Sequence, residues 1–455
     1  MRKASAVGNL QAFMTQTLTR YEQYTSDFDS LEGAEQPEWL RDIRAAAWER
    51  FLAVGLPTAR RGNEPYKYTN VAPIAGAELA LASDGDGELS VDELRQIAPV
   101  HDGGARLVFI DGRYSDGLSD VRSVANGISV SSLADAIESG NGAVSGHLGQ
   151  YADVEEDGFI ALNTAFISDG AFIEVEENAS VESPLHLVFV STDGAQTVSH
   201  PRVLVVAGRG SSATIVESYV GVPGNRCLTN SVAEIVLEDD ATLDHYRLLM
   251  ESEDAFHVGV ARVHQGANSK YNSKVFERQV GLGRFDLYTS IDGENASCDL
   301  KGLYFTSGRQ HMDNYININH EKPFCRSRLL YKGILDGRSR AVFGGTVYVQ
   351  PGAIKTDSHQ EDKNLVLSPY AEVDSKPSLF IYADDVKCGH GATAGNIDLD
   401  TVFYMRSRGI DLETASRLLI YGFASEIIDT VGDDYLREYL EGLFLDSLPS
   451  YKFEF

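Results

Sequence analysis

The sequence predicts a mainly β protein in which a parallel β-helix, a solenoid of stacked β coils, is flanked by helical N- and C-terminal regions. Three observations support this fold class. Short apolar runs separated by Gly, Asn and Asp turns fill the chain from about residue 106 to residue 405. Apolar residues at helical spacing lie on both sides of that stretch. Within it, a small residue follows a turn residue every 26 to 34 positions, at Ala179, Ala213, Ala241, Ala267 and Ala296.

The N-terminal region, residues 1–100, is predicted to be helical. Apolar residues recur there at helical spacing until the Gly-Leu-Pro segment 55–57, namely Leu40, Ile43, Ala47 and Phe51. The acidic, Gly-rich stretch 82–88 is typical of a connector. Ser90 and Glu93 have the spacing of a capping box, which predicts that a short helix begins there.

The central region, residues 101–405, is predicted to form the β-helix. Its runs mix apolar and polar residues over short lengths, as in Phe172-Ile-Glu-Val175 and Glu234-Ile-Val-Leu237. Sandwich domains usually end near about 100 residues, and propellers have more uniform blades. Roughly 300 residues of irregular short strands therefore favour coils that stack along one axis.

The C-terminal region, residues 406–455, is predicted to return to helix. The apolar side of its first helix consists of Ala415, Leu418, Leu419, Phe423, Ile427 and Ile428. A second apolar-faced segment follows at residues 435–444. Two interpretations are open, which do not exclude each other: the helices bind a partner through these side chains, or they cap the open end of the solenoid.

The composition argues against several kinds of partner. The formal net charge is -28 at pH 7, and no Lys lies between Lys67 and Lys270. Such a surface repels phosphate backbones and anionic lipid headgroups, so we expect neither nucleic acid nor a membrane as a partner. The sequence has no run of 18 apolar residues and no signal-peptide pattern, so we expect the protein to stay in the cytoplasm.

Common enzyme motifs are missing from the sequence. No Gly-x-x-x-x-Gly-Lys-Ser/Thr string occurs, so we expect no nucleotide-binding loop and no ATP hydrolysis by this chain alone. Residues 208–213 resemble a dinucleotide fingerprint but lie between β runs, which favours a solenoid turn. The four cysteines, Cys227, Cys298, Cys325 and Cys388, are widely spaced and are expected to be free thiols.

A thiol and an imidazole lie two residues apart at the end of a β run, at Cys388 and His390. In a strand such residues point to one face with Cα atoms roughly 6.6 Å apart, so both side chains can reach one metal ion. Gly389 between them would let another backbone or subunit approach closely. A metal or cluster normally needs four ligands, so a second chain would have to complete the site. The alternative is that Cys388 is a small buried apolar residue and His390 a turn residue.

The segment around Cys388 resembles a signature of the SufB/SufD family of iron-sulfur cluster assembly proteins, in its SufD branch. The resemblance continues at residues 403–410, Phe-Tyr-Met-Arg-Ser-Arg-Gly-Ile. Shorter matching segments, which together span nearly the whole chain, are Trp39, residues 55–57, 66–70, 355–357, Gln360, 364–368 and 375–377.

The resemblance implies a right-handed parallel β-helix and a non-catalytic scaffold role. It implies that the chain pairs with a SufB paralogue and binds the ATPase SufC through its C-terminal helices, here through Leu418, Leu419, Phe423 and Ile427. A transient iron-sulfur cluster of iron and sulfide would form at the SufB junction with His390 and Cys388 as ligands, and would pass to recipient apoproteins. A flavin on the complex is a further expectation, to which no residue is assigned.

Three alternatives compete with this interpretation. SufB sequences typically carry His-Glu-Ala where this chain has His390-Gly-Ala, which favours SufD over SufB. A stand-alone β-helix enzyme, such as a polysaccharide lyase, would need a catalytic base and charged residues along one sheet. End-to-end self-assembly is disfavoured if terminal helices cover the ends of the solenoid. One departure from the family is Phe380, at a position where a carboxylate is usual.

Overall fold

The structure is a computed structural model that describes residues 22–447 except 34, 58, 60–62, 83–88, 101–103, 123–125 and 193–195. Most of the predicted connector at 82–88 lies outside the described residues. The helices are α1 (Glu22–Glu32), α2 (Glu38–Val54), α3 (Ala72–Ala75), α4 (Val91–Ile97), α5 (Leu133–Glu138), α6 (Gly142–His147), α7 (Gly158–Ala165), α8 (Leu399–Ser407), α9 (Leu412–Ile428) and α10 (Asp434–Ser447).

The strands are β1 (Ala80–Leu81), β2 (Arg106–Ile110), β3 (Arg113–Tyr114), β4 (Ile128–Ser132), β5 (Gly170–Val175), β6 (Leu185–Ser191), β7 (Thr197–Ser199), β8 (Arg202–Ala207), β9 (Ser212–Gly221), β10 (Leu228–Leu237), β11 (Thr242–Met250), β12 (Phe256–Gln265), β13 (Lys270–Glu277), β14 (Leu282–Ile291), β15 (Ser297–Thr306), β16 (His311–His320), β17 (Arg326–Leu335), β18 (Arg340–Val349), β19 (Asp357–Val366), β20 (Glu372–Ile381) and β21 (Lys387–Gly395).

The strands form two sheets, called here sheet I and sheet II. Sheet I runs in the order β20-β18-β16-β14-β12-β10-β8-β5-β4, and sheet II in the order β21-β19-β17-β15-β13-β11-β9-β6-β2-β3. Neighbours from β8 onward pair in parallel, at register intervals of 26 to 32 residues in sheet I. Each coil therefore gives one strand to each sheet, which confirms the predicted solenoid and its repeat length.

At least one residue with a positive φ marks each passage from sheet I to sheet II between β5 and β21. Gly210 has this conformation after β8, and the other passages use Asn178, Asp240, Asn268, Asn295, Phe324, Lys355 and Asp385, with φ between 54° and 63°. Asn and Asp adopt left-handed conformations more readily than other non-glycine residues. The turn residues behind the sequence repeat therefore form one corner of the coil, and Ala179, Ala241 and Ala296 follow directly after it.

The inward side chains of the two sheets form the main core. Stacked apolar residues such as Ile235, Leu287 and Val347 fill most of it. The bore also contains charged side chains, because Arg247 and Glu277 are both nearly fully buried. Arg247 lies over aromatic rings, 4.4 Å from the centroid of Phe285. The interior is thus a mixed apolar and polar column.

Helices cover the outer faces of both sheets. Trp48 of α2 and Phe159 of α7 pack with Leu228 and Phe256 at the edge of the outer face of sheet I. In the C-terminal region, α9 and α10 pack against outward side chains of sheet II. The interpretation that the C-terminal helices cap the end of the solenoid is therefore wrong, since they lie along its side. None of the described helices is both long and apolar enough to cross a lipid bilayer.

The prediction of uninterrupted β structure from residue 106 to residue 405 misses α5, α6, α7 and the start of α8. Every residue of α7 is buried, so this helix lacks the one-sided apolar pattern by which a helix is recognised. Within sheet I, Arg202 of β8 and Glu234 of β10 form a buried ion pair of 2.6 Å, and Arg202 also donates to the Asn163 side chain of α7 at 2.9 Å. The Glu234 carboxylate also accepts the backbone N–H of Gly149 at 2.8 Å. The boundaries at residues 100 and 405 stay predictions.

Residues 64–69, called here the N-terminal strap, cross the outer face of sheet I. Glu64 forms an ion pair with Lys376 of β20. Arg284 of β14 lies 4.1 Å from the ring centroid of Tyr66. Thr69 donates its hydroxyl to Asp313 of β16 at 2.5 Å. The strap therefore connects several coils that lie far apart in sequence.

The last coil, β20 and β21, forms an open end. Within the described residues, β20 pairs only with β18 and β21 only with β19. Most of its side chains are exposed or half-buried, whereas those of β18 in the preceding coil are largely buried. Each strand therefore has one edge whose backbone groups are free to pair with an added strand.

Candidate functional site

Cys388 and His390 lie on β21, at the open end. Their register partners on β19 are Ser358 and Gln360, both buried inside the solenoid. Cys388 and His390 therefore face the bore, and they are accessible because none of the described residues forms a further coil over them. The structure confirms that both residues share one face of an edge strand.

The Cys388 thiol is half-buried and packs against the main core. Burial raises its pKa above the ordinary value, and the nearby Asp357 carboxylate raises it further. The backbone N–H of Ser358 acts in the opposite direction. The thiol is therefore protonated at neutral pH in this chain alone, and a cation from outside would be needed to make it a thiolate.

His390 is exposed, and its contact inside the bore is with Gln360. The Nε2 atom of Gln360 lies 3.3 Å from Nδ1 of His390. The same Nε2 donates to the carbonyl oxygen of Ser378 at 3.1 Å. Gln360 is almost completely buried, so this contact gives the exposed imidazole a fixed support.

A polar column continues beneath Cys388. Ser327 donates its hydroxyl to the hydroxyl of Ser358 at 2.7 Å. The Ser327 hydroxyl also lies 2.9 Å from Nε2 of His320. These groups support the coil under the thiol, and burial lowers the pKa of His320 to about 4, so its ring is neutral.

The outward face at Gly389 is less open than the sequence suggests. A Cβ added at Gly389 would lie 3.3 Å from Nδ1 of His359 on the neighbouring strand. At Gly391, by contrast, an added Cβ would meet nothing within 4 Å. The free space beside β21 thus begins after His390.

Apolar side chains surround the open end. Phe380 stacks on Tyr348, with ring centroids 5.1 Å apart, and keeps its other face exposed. Tyr370, Ile381 and Tyr382 are exposed as well. A concentration of exposed apolar side chains beside free strand edges is typical of a protein interface.

The four predicted partner-binding residues of α9 do not share one environment. Leu418 is 50% exposed, whereas Ile427 is 0% exposed and packs against sheet II. Leu419 and Phe423 are half-buried at the edge of the same cluster. Lys332 holds Phe423 in place, with its Nζ 4.2 Å from the ring centroid.

The most exposed apolar residues of the C-terminal helices α8, α9 and α10 lie on α8, to which the sequence analysis assigned no site. They are Leu399, Phe403 (74% exposed) and Tyr404. α8 contacts α9, which carries Leu418. Phe403 and Tyr404 belong to the 403–410 segment, and their adjacent aromatic side chains were the signal that could have identified them, although residues 101–405 were predicted to be β-helix.

The described residues contain no group of three or more His, Cys, Asp or Glu side chains arranged to hold a metal ion. Cys227, Cys298 and Cys325 are buried free thiols, and burial raises the pKa of each one. Cys388 and His390 thus fit a metal or cluster as a partial ligand set, one soft thiol and one imidazole, that a second chain would complete.

The fold and the site define a class: a two-sheet β-solenoid with helices along its sides and a thiol–imidazole pair on its open end. Comparison of the sequence with known protein families identifies two matching domain families. Residues 189–423 match the SufBD core domain of the SUF system of FeS cluster assembly, and residues 15–187 match the SufBD N-terminal region. The chain belongs to the SufBD family of iron-sulfur cluster assembly proteins.

Individual relatives agree with the family assignment. The iron-sulfur cluster assembly protein SufD of Escherichia coli is 32% identical over 88% of this chain and 91% of its own length. A SufBD family protein of Synechocystis is 32% identical over 85% of this chain and 86% of its own. SufD of Bacillus subtilis is 25% identical over 92% of this chain and 96% of its own.

Proposed function

We propose that this chain is a non-catalytic SufD-type scaffold subunit that pairs with a SufB-type paralogue through its open end. In this proposal Cys388 and His390 supply part of the ligand set for a nascent iron-sulfur cluster, which is the cargo of the complex. The observation that carries the proposal is that these two ligand types share the bore-facing side of an edge strand with no further coil above it.

The proposed junction is supported by the chemistry of the open end. Free edges on β20 and β21 can be paired by strands of a second chain, and the exposed aromatic side chains around them would become buried. The partner would add the missing ligands and the positive charge that Cys388 needs to become a thiolate. His390, which is already exposed, is the better candidate for the first contact with iron.

The proposal assigns ATP hydrolysis to a SufC-type partner at the C-terminal helices. The supporting observation is a group of large, exposed apolar side chains on α8, together with Leu418 of α9. The two helices contact each other, so these side chains can belong to one surface. Ile427 belongs to the proposal only as a residue that anchors α9 to sheet II. The finished cluster would pass to recipient apoproteins, and electrons for assembly would come from outside this chain, for example from a flavin.

The test is reconstitution of the complex from co-expressed SufB-type and SufC-type partners. We expect the Cys388→Ala/His390→Ala double variant to form the complex but to lose most of the cluster absorbance per complex after anaerobic reconstitution with iron and sulfide. His359→Ala is the matched control, because this exposed imidazole lies on the neighbouring strand and faces outward. An unchanged cluster yield in the double variant would contradict the ligand role, and failure to capture any partner would contradict the junction.

A further inference from the structure

We propose that Gln360 is a positioning residue that fixes the tautomer of His390. In the chain alone it keeps the lone pair on Nδ1 and the proton on Nε2. This inference rests on the proposed role of His390 and deepens it, because the tautomer decides which ring nitrogen can bind a metal ion.

The orientation of the Gln360 amide follows from its partners. Its side chain is 1% exposed, and one nitrogen, Nε2, contacts both the Ser378 carbonyl at 3.1 Å and His390 Nδ1 at 3.3 Å. A carbonyl oxygen can only accept a hydrogen bond, so the amide must present its NH2 group to Ser378. The amide oxygen, Oε1, is buried and has no hydrogen-bond partner among the described residues.

The tautomer of His390 follows from that orientation. The second N–H of the Gln360 amide is directed at Nδ1, so Nδ1 must accept. A neutral imidazole has one donor and one acceptor nitrogen, which leaves the proton on Nε2. In the other tautomer, the N–H at Nδ1 of His390 would face an N–H of the Gln360 amide. If the amide were turned over, its oxygen would face the carbonyl oxygen of Ser378.

The chemical consequence concerns metal binding. A metal ion binds the imidazole nitrogen that carries the lone pair. In the observed arrangement that nitrogen is Nδ1, which is already occupied by the amide of Gln360. Nε2 presents an N–H donor instead. Ligation by His390 must therefore displace Gln360 or wait until the partner chain rearranges it, so Gln360 holds the imidazole back from metal ions while the chain is unpaired.

The first test reads the tautomer directly. Long-range ¹H–¹⁵N correlation spectra of the full chain labelled at histidine, with His390→Asn to assign the signal, should show the proton on Nε2 when the ring is neutral. Gln360→Glu replaces the donor by an acceptor of the same shape, and should move the proton of His390 to Nδ1. His359, which contacts Glu361 at 3.3 Å on the outer face, is the internal reference and should not change.

The second test measures metal binding by the chain without partners. We expect Gln360→Glu, which frees the lone pair of Nε2, to bind Zn²⁺ at least tenfold more tightly than the unaltered chain, and the gain to vanish with His390→Asn. Gln360→Met, which removes the amide without adding a charge, should raise Zn²⁺ affinity by a smaller factor and covers the case in which the buried carboxylate prevents folding.

The inference is overturned if His390 of the unaltered chain carries its proton on Nδ1, or if folded Gln360→Glu leaves the tautomer unchanged. Equal Zn²⁺ affinity in the unaltered chain and in both Gln360 variants would also overturn it. These measurements use the chain alone and require no cluster assembly. A failure of the scaffold proposal would appear in the reconstituted complex and would leave the tautomer as it is.

Discussion

At the residue scale, the sequence identifies Cys388 and His390 because a strand places residues i and i+2 on one face, a rule that needs no tertiary information. Gln360 belongs to the matching segments but receives no role from the sequence. Its contact with His390 joins residues 30 positions apart, and such a contact depends on the register between coils. The charged groups inside the bore escape detection for the same reason, because the inward face of each strand is known only once the coils are stacked.

Glu277 in the bore should make stability depend on pH. Its carboxylate accepts from Asn314 at 2.8 Å and lies 3.8 Å from Arg247, yet burial raises its pKa from 4.5 to about 7. The folded chain then binds more protons than the unfolded chain between these values, so this group's contribution to stability falls as pH rises through that window. At about 1.4 kcal/mol per unit, the change is on the order of 3 kcal/mol.

The measurement is urea unfolding of the unaltered chain and of Glu277→Gln across this pH range. The substituted amide would still accept from Asn314 but would not titrate. The unaltered chain should therefore lose unfolding free energy relative to Glu277→Gln as pH rises. Glu253→Gln, at an exposed site, is the control and should show no such drift. A pH-independent difference for Glu277→Gln would contradict the prediction.

At the element scale, the sequence finds the helices with one-sided patterns and misjudges which side faces out. In α9, Leu418 and Ile427 are nine residues apart, which at 100° per residue places them on opposite faces. The structure agrees, since Ile427 is buried against sheet II and Leu418 is exposed. The all-buried α7 was missed entirely because no polar face marks it. Helical periodicity therefore predicts that a helix exists more readily than how it is oriented.

Substitutions in the C-terminal helices should separate binding from folding. Phe403→Asp or Leu418→Asp places a charge at an exposed position and should weaken capture of the SufC-type partner at least tenfold, with little change in melting temperature. Ile427→Asp buries a charge without a partner, at a cost of several kcal/mol, and should lower the melting temperature markedly.

Both effects can be followed by pull-down and thermal scanning of the same preparations. Val54→Asp, on an exposed position of α2, is the matched control for adding a charge far from α8. Loss of melting temperature in Phe403→Asp would show that this side chain is needed for the fold, and retained capture in both exposed variants would remove α8 and Leu418 from the interface.

At the scale of the whole molecule, the sequence predicts the solenoid and its coil length, since the corner residues repeat in the chain. It does not show that the helices lie along the sides and leave the last coil uncovered. That arrangement depends on contacts such as those of α9 with sheet II, which connect parts of the chain that no local pattern relates. The helices therefore do not exclude association through the end of the solenoid.

Hydrogen exchange should reveal the open end as the least stable part of the solenoid. Each coil is stabilised mainly by its neighbours, and the last one has a neighbour on one side only. We expect the amides of β20 and β21 to exchange at least tenfold faster than those of β12–β15, and to become protected when a SufB-type partner binds. Mass spectrometry of the chain with and without the partner measures both effects.

Uniform protection along the solenoid would contradict a weak last coil. Protection that spreads over α8 and α9 instead of β20 and β21 on addition of the SufB-type partner would place that partner on the side of the solenoid. The buried strands β12–β15, which pair on both edges, serve as the internal reference for global unfolding.

The N-terminal strap also has a consequence for how the chain is made. Glu64 pairs with Lys376 across 312 residues, and Thr69 with Asp313 across 244. At a synthesis rate of about 5–20 residues per second, roughly 15 to 60 s pass between the appearance of Glu64 and that of Lys376 on the ribosome. The strap is thus synthesised well before the strands that it contacts, and β16 and β20 must take their places in the solenoid before these contacts can form.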